Sequence, residues 1–158
     1  TARNIVESGE FVVNLVPYAL AEAMNLTSID APPGVSEFDL AGLTQAPATH
    51  VAAPLVAESP VSFECVTHAS LLTGPQQVLA VGRVLAVHVA DRFVKDAARG
   101  HIDTPALDLL GRGFGSSYIR SRDMFDMTRP RWADQPTNKN SGSQSTGKLT
   151  DRAMKHTA

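Results

Sequence analysis

The chain has 158 residues, 43% of them hydrophobic, which is one domain's length with enough apolar material for a core. Fourteen basic against sixteen acidic side chains, net −2, argue against a dominant nucleic-acid or membrane footprint. The lone Cys65 excludes an intramolecular disulfide and fits a reducing, cytoplasmic setting, and no apolar run approaches the length of a membrane span.

Thr1 to Ser8 reads as a helix stopped by Gly9, with Ile5 and Val6 on its apolar side. Phe11 to Val16 is a β-branched strand that Pro17 ends, because proline has no amide to donate to a ladder. Tyr18 to Leu26 is helical by composition, Pro32-Pro-Gly34 is a turn, and Glu37 to Leu43 is a short helix.

Val61 to Leu72 is the clearest strand. Its odd positions (Val61, Phe63, Cys65) predict a core face, and its even positions (Ser62, Glu64, Val66, His68) a face nearer water. On one strand Cys65 and His68 fall on opposite faces and cannot pair, so Cys65 reads as inert packing. Glu64 and His68 share a face, yet two ligands on one strand are far from a metal set, and a solvated face is the better reading.

Thr73 to Gln77 turns the chain into Val78–Val89. Leu79, Val81, Leu85, Val87 and Val89 make one face, Val78, Ala80, Val84 and Ala86 the other. A strand apolar on both faces is interior to a barrel or covered by a second subunit. Two long strands around a short turn form a hairpin, which favours an antiparallel barrel over a parallel sheet.

A linking region follows Asp91, then a short helix from Thr104 to Leu110, then the glycine-rich run Gly111–Tyr118. That run lacks the Gly-x-Gly-x-x-Gly dinucleotide spacing and any βαβ unit around it, so by itself it reads as a flexible loop. Residues 131–158 carry net +3, against −5 for residues 1–130, and read as a polar, disordered basic tail. Within it Gly142–Lys148 matches most of a phosphate-binding loop. Leu149 stands where a magnesium-binding hydroxyl belongs and no strand precedes, so the match is coincidental.

Taken in order, Gly9-Glu-Phe-Val-Val-Asn-Leu-Val16, Glu22-Ala-Met-Asn25, Ala41-Gly-Leu-Thr44, Glu58-Ser-Pro60 and Glu64-Cys65 resemble the flavin reductase-like family of FMN-binding split-barrel proteins. The resemblance runs from Thr1 to about Pro130. It implies a mainly β fold with short helices, an antiparallel split β-barrel of the FMN-binding type. It also implies that the barrel is incomplete at the N-terminus, since family members carry strands before the position matching Thr1, and that tight FMN binding needs those strands.

The function so implied is hydride transfer from NAD(P)H to flavin. The cofactor carries that chemistry, so no acid–base or nucleophile set is required and no catalytic side chain is assigned. Thr1-Ala-Arg-Asn4 resembles the end of a Lys-Asp-Thr-x-x-Asn motif, so Thr1 and Asn4 would hold the FMN phosphate. His88 and Arg112 would be polar partners of the flavin. Phe114, where the family tends to have Gly, or Tyr118 would pack on its ring. His50 stands where relatives carry a basic residue, but Ala48 departs from the usual Ser, and no role is carried over to it. A homodimer with flavin at its interface is implied, with no metal, nucleic acid or membrane partner. The alternative is a non-catalytic FMN-binding or interaction module, or an inactive remnant.

Overall fold

The structure, a computed structural model, describes residues 2–132 apart from Pro33 and Gln76. It resolves into a compact unit, Thr1–Met124, and a second unit, Phe125–Ala158. In the second unit the described residues 125–132 are all exposed. The tail segment 133–158, with its resemblance to a phosphate loop, lies outside the described residues, as does Thr1.

Helix α1 (Ala2–Ser8) ends at Gly9, whose φ of 70° is the left-handed conformation that glycine adopts without a Cβ penalty. The chain then reverses into β1 (Glu10–Asn14). The predicted helix from Tyr18 to Leu26 divides into a 3-10 turn, Tyr18–Leu20, and α2 (Ala21–Leu26). Helix α3 (Glu37–Ala41) is capped by the Ser36 hydroxyl, which accepts from the Asp39 amide, and closes at Gly42. Strands β2 (Gln45–Ala46) and β3 (Leu55–Val56) then pair across a loop that sequence periodicity does not reveal.

The long hairpin is β4 (Val61–Gly74) with β5 (Gln77–Val89), and β1 pairs antiparallel with β4 to complete a three-stranded sheet. After β5 come the hairpin β6 (Val94–Asp96) with β7 (His101–Ile102), helix α4 (Thr104–Leu107), and the hairpin β8 (Leu110–Arg112) with β9 (Tyr118–Arg120). The chain is thus mainly β with short helices, and its sheets are open.

Four expectations need correction. Strand β4 does not split into a dry and a wet face. Val61, Ser62, Glu64 and Cys65 are all buried, while His68 to Leu72 are exposed on both faces. The covered half is the half flanked by β1 on one side and overlain by the 47–52 loop, so position along the strand outweighs its period. In particular, Glu64 lies on no solvated face; it is fully buried.

The apolar sets of β5 are also redistributed. Irregularities between Thr67 and Ala69 and between Glu64 and Cys65 shift the register, so Val84, not Leu85, stands opposite Cys65. Leu79, Val81, Val84, Leu85 and Val87 of β5 remain 38–56% exposed, covered by no barrel wall among the described residues. The helix predicted from Thr104 to Leu110 ends at Leu107, because Asp108 takes a left-handed φ of 48°. Finally, Gly111–Tyr118 is an ordered hairpin where the residues alone read as a flexible loop.

Candidate functional site

A cavity of about 720 Å³ lies along β1, bounded by α1, α2, α3 and the segment before β3. Its wall is largely apolar, with Phe11, Met24, Phe38 and Pro54 among the contributors, and Asn4 and Ser8 give it a polar edge one helical turn apart on α1. This combination of apolar wall and few polar groups is typical of small-molecule and cofactor sites, and the volume falls in their usual range of roughly 300–1,000 Å³. Within the lining, Asn14 Oδ1 accepts from the Val56 amide at 3.1 Å and from the Ser62 hydroxyl at 2.7 Å. The polar Asn inside an apolar strand is therefore a structural tie between β1, β3 and β4.

The β8–β9 hairpin is anchored beside the end of β1. The Leu110 amide donates to the Val16 carbonyl, the Tyr18 amide to the Asp108 carbonyl, and the Leu109 amide to the Ser121 hydroxyl. Arg120 stacks 3.7 Å from the centre of the Tyr18 ring and pairs with Asp108. Its guanidinium holds the Asp108 carboxyl below the usual carboxylate range. At the turn end of the hairpin Arg112 donates to the Tyr118 hydroxyl at 2.5 Å and to the Gly115 carbonyl at 2.7 Å, and lies 4.9 Å from the centre of the Tyr118 ring. Gly115 turns the chain with φ 63°, and Phe114 beside it is 98% exposed.

His88, near the end of β5, stands in register with Ser62, diagonal to Glu64 on the same face. Its Nε2 lies 2.5 Å from Glu64 Oε1. Glu64 also accepts from two backbone amides of the 47–52 loop, Thr49 at 2.8 Å and His50 at 2.6 Å. Burial alone would push this carboxyl up, but the two amides and the His88 ring together outweigh it and hold the pKa at about 2.

The structure therefore joins Arg112 and Tyr118 directly and puts Asn4 on the cavity edge, while His88, Arg112, Phe114 and Tyr118 are not among the residues that line that cavity. Among the described residues no hydrogen bond or ion pair links Asn4, His88 and the Arg112–Tyr118 pair to one another. No group of three or more His, Cys, Asp or Glu side chains suited to a metal gathers among them, and no helix there is long and apolar enough to cross a membrane. Two residues escaped the sequence reading. Glu64 was assigned to solvent, and the role of His50 proves to lie in its backbone amide. Counting the hairpin ladder back from Leu72 opposite Val78 would have placed His88 opposite Ser62 and diagonal to Glu64.

Residues 1–107 match the family model described as the flavin reductase like domain. An uncharacterized protein of Deinococcus radiodurans is 38% identical over 139 residues, covering 85% of this chain and 61% of its own. The crystal structure of nitrilotriacetate monooxygenase component B from Bacillus cereus is similar at 31% identity and TM-score 0.72, over 80% of this chain and 63% of that one. A structure from Shewanella frigidimarina with a split barrel domain is similar in fold, at 23% identity and TM-score 0.71, over 82% and 65% of the two chains. The chain spans less than two thirds of the length of each of these relatives. Its fold is that of the split-barrel proteins, with the sheets open within the described residues.

Proposed function

Because the chain belongs to the flavin reductase-like domain family, we propose that it is the flavin-binding part of an oxidoreductase that passes hydride from NAD(P)H to FMN. The observation that carries this reading is the cavity along β1, large and apolar enough for a tricyclic ring, with Asn4 and Ser8 on its helix α1 edge.

The residues present fit a flavin. Asn4, with Thr1 before it in sequence, supplies side-chain polar groups for the phosphate, and Phe11, Met24 and Phe38 supply apolar contact for the ring. Arg112 is a fixed cation at the hairpin end for an electron-rich edge of the cofactor, held by Tyr118 and the Gly115 carbonyl. Phe114, exposed at the hairpin tip, is free to close over a ring. His88 offers a ring nitrogen whose opposite side is tied to Glu64. A flavin, when bound, supplies the hydride-accepting chemistry; the protein's own part is binding, orientation and exclusion of water.

The exposed apolar side chains of β5 support a homodimer as the assembly, because apolar surface on a long strand is a common site of subunit contact. The lone Cys65, buried and unpaired, supports a reducing, cytoplasmic setting. The test is an FMN titration, read by quenching of flavin fluorescence, of protein carrying this chain and of its Asn4→Ala and Arg112→Ala variants. Each variant is expected to bind about tenfold more weakly, the loss of one charge-assisted or cofactor hydrogen bond. Unchanged affinity in both would refute the assignment of the site.

A further inference from the structure

The buried Glu64 carboxylate meets three other groups at a single point, and the geometry leaves it one protonation pattern. Oε1 faces the Thr49 amide and the His88 Nε2, and Oε2 faces the His50 amide. Backbone amides can only donate, so each carboxylate oxygen is already an acceptor and neither has room for a proton directed at the loop. The remaining contact, Nε2 to Oε1, is satisfied when the ring nitrogen carries the hydrogen. That assigns the His88 tautomer through its neighbours, and leaves Nδ1 without a hydrogen in the neutral ring. Nδ1 has no hydrogen-bond partner among the described residues, and the His88 side chain is 38% exposed.

We infer that Glu64 is a positioning residue: it pins the Thr49–His50 segment and locks His88 with Nε2 protonated, so that His88 presents Nδ1 as an acceptor to an N–H donor of the bound cofactor. A ring imide or a carboxamide supplies such a donor. The cofactor half of this inference rests on the flavin reading above, while the half concerning Glu64, His88 and the loop stands on the structure alone. The arrangement has the logic of other sites in which a buried carboxylate fixes one nitrogen of a histidine so that the other works. Glu64 does this from β4 and His88 from β5, two strands of one sheet, so the pair is held by a rigid element and not by a loop.

Three measurements on the chain test it. Long-range nitrogen–proton correlation spectra at alkaline pH should show a single His88 tautomer protonated at Nε2; a dominant Nδ1–H form would overturn the assignment. Glu64→Gln puts an amide NH2 against one of the donors, so the Thr49 or the His50 amide should lose its acceptor and exchange with solvent about tenfold faster. The His88 tautomer should redistribute with it. An unchanged tautomer and unchanged exchange would remove the positioning role.

His88→Gln keeps a side-chain N–H directed at Glu64 but removes Nδ1. Thr49 and His50 should therefore stay protected while FMN affinity, measured on protein carrying this chain, falls about tenfold. Undiminished affinity would overturn the claim that Nδ1 meets the cofactor. If the unsubstituted protein has no affinity for FMN, the flavin reading fails, and the tautomer and exchange results still decide what Glu64 does.

Discussion

Replacing Gly82 by Ala probes the packing of the central sheet at its tightest point. Gly82 stands opposite Thr67, and a Cβ built on it would meet the Phe11 ring at 2.4 and 3.0 Å and the Cys65 Cβ at 3.2 Å. The first is shorter than real carbon contacts, and the other two are tight. The Phe11 ring must therefore move, while Cys65 is fixed by its buried place on β4. Relieving such overpacking costs about 1–3 kcal/mol. Against it, alanine is favoured over glycine in a strand by roughly 0.5–1 kcal/mol. The clash wins, and the net loss should be about 1–2 kcal/mol. Urea unfolding of the chain should show a lower midpoint with an unchanged slope. Adding Phe11→Leu, which removes the ring atoms in question, should make the Gly82→Ala cost smaller than in the wild-type background. If Gly82→Ala is neutral or stabilising, or if its cost is the same with Leu at position 11, the close approach of Phe11 to β5 is not as described.

Acid should loosen the 47–52 loop late. Glu64 has a folded pKa lowered from 4.5 to about 2, so its contribution is fully present above about pH 4.5 and is lost as pH falls toward 2. Thr49 and His50 amide exchange, corrected for intrinsic rates, should rise across that window in the wild type and stay flat in Glu64→Gln; a matching acid response in the variant would point to another group. Leu85→Glu places a charge on the exposed apolar side of β5. It should abolish a dimer seen by light scattering while a monomeric chain would tolerate it, so unchanged dimer mass would move the interface elsewhere. Asp108→Ala removes the carboxylate shared by Arg120 and Arg122. The β8–β9 hairpin should then lose protection from exchange at Leu110 and Ser121 first, and equal protection would show that the backbone ties suffice without the ion pairs.

Much of the fold was legible because it is written in local chemistry. Gly9 stopping α1 and the pairing of two long strands around a short turn as the β4–β5 hairpin follow from the residues themselves, whereas the first strand ends at Asn14 and not at Pro17. The short hairpins were not legible. Strands of two or three residues such as Gln45–Ala46 and His101–Ile102 are too brief to show a period and are fixed by tertiary ties. The redistribution along β5 was hidden for a different reason. Two opposed irregularities cancel, so Val61 to Glu64 and Ala69 to Leu72 share the simple register while Gly82 to Val84 between them change face, and a third irregularity shifts Gly74 onto Gln77 at the turn. That local change puts Gly82, and not Arg83, under the Phe11 ring.

Arg112 and Tyr118 were singled out by family spacing, and the structure finds the two side chains in contact with each other. Glu64 was misread because a carboxylate on an apparently polar face looks solvated until the loop that donates to it is placed. Its partners lie 14 and 15 residues before it and 24 after it, beyond the reach of any local pattern.

The measurement that bears most directly on the proposed function is anaerobic: FMN is added to protein carrying this chain, then NADH or NADPH, and the flavin absorbance band is followed. Saturable FMN binding is expected, with bleaching of the band that depends on the nicotinamide and exceeds the rate with free FMN. Binding without bleaching by either nucleotide would make this a flavin-binding module without turnover, and the absence of binding would contradict the account at its root.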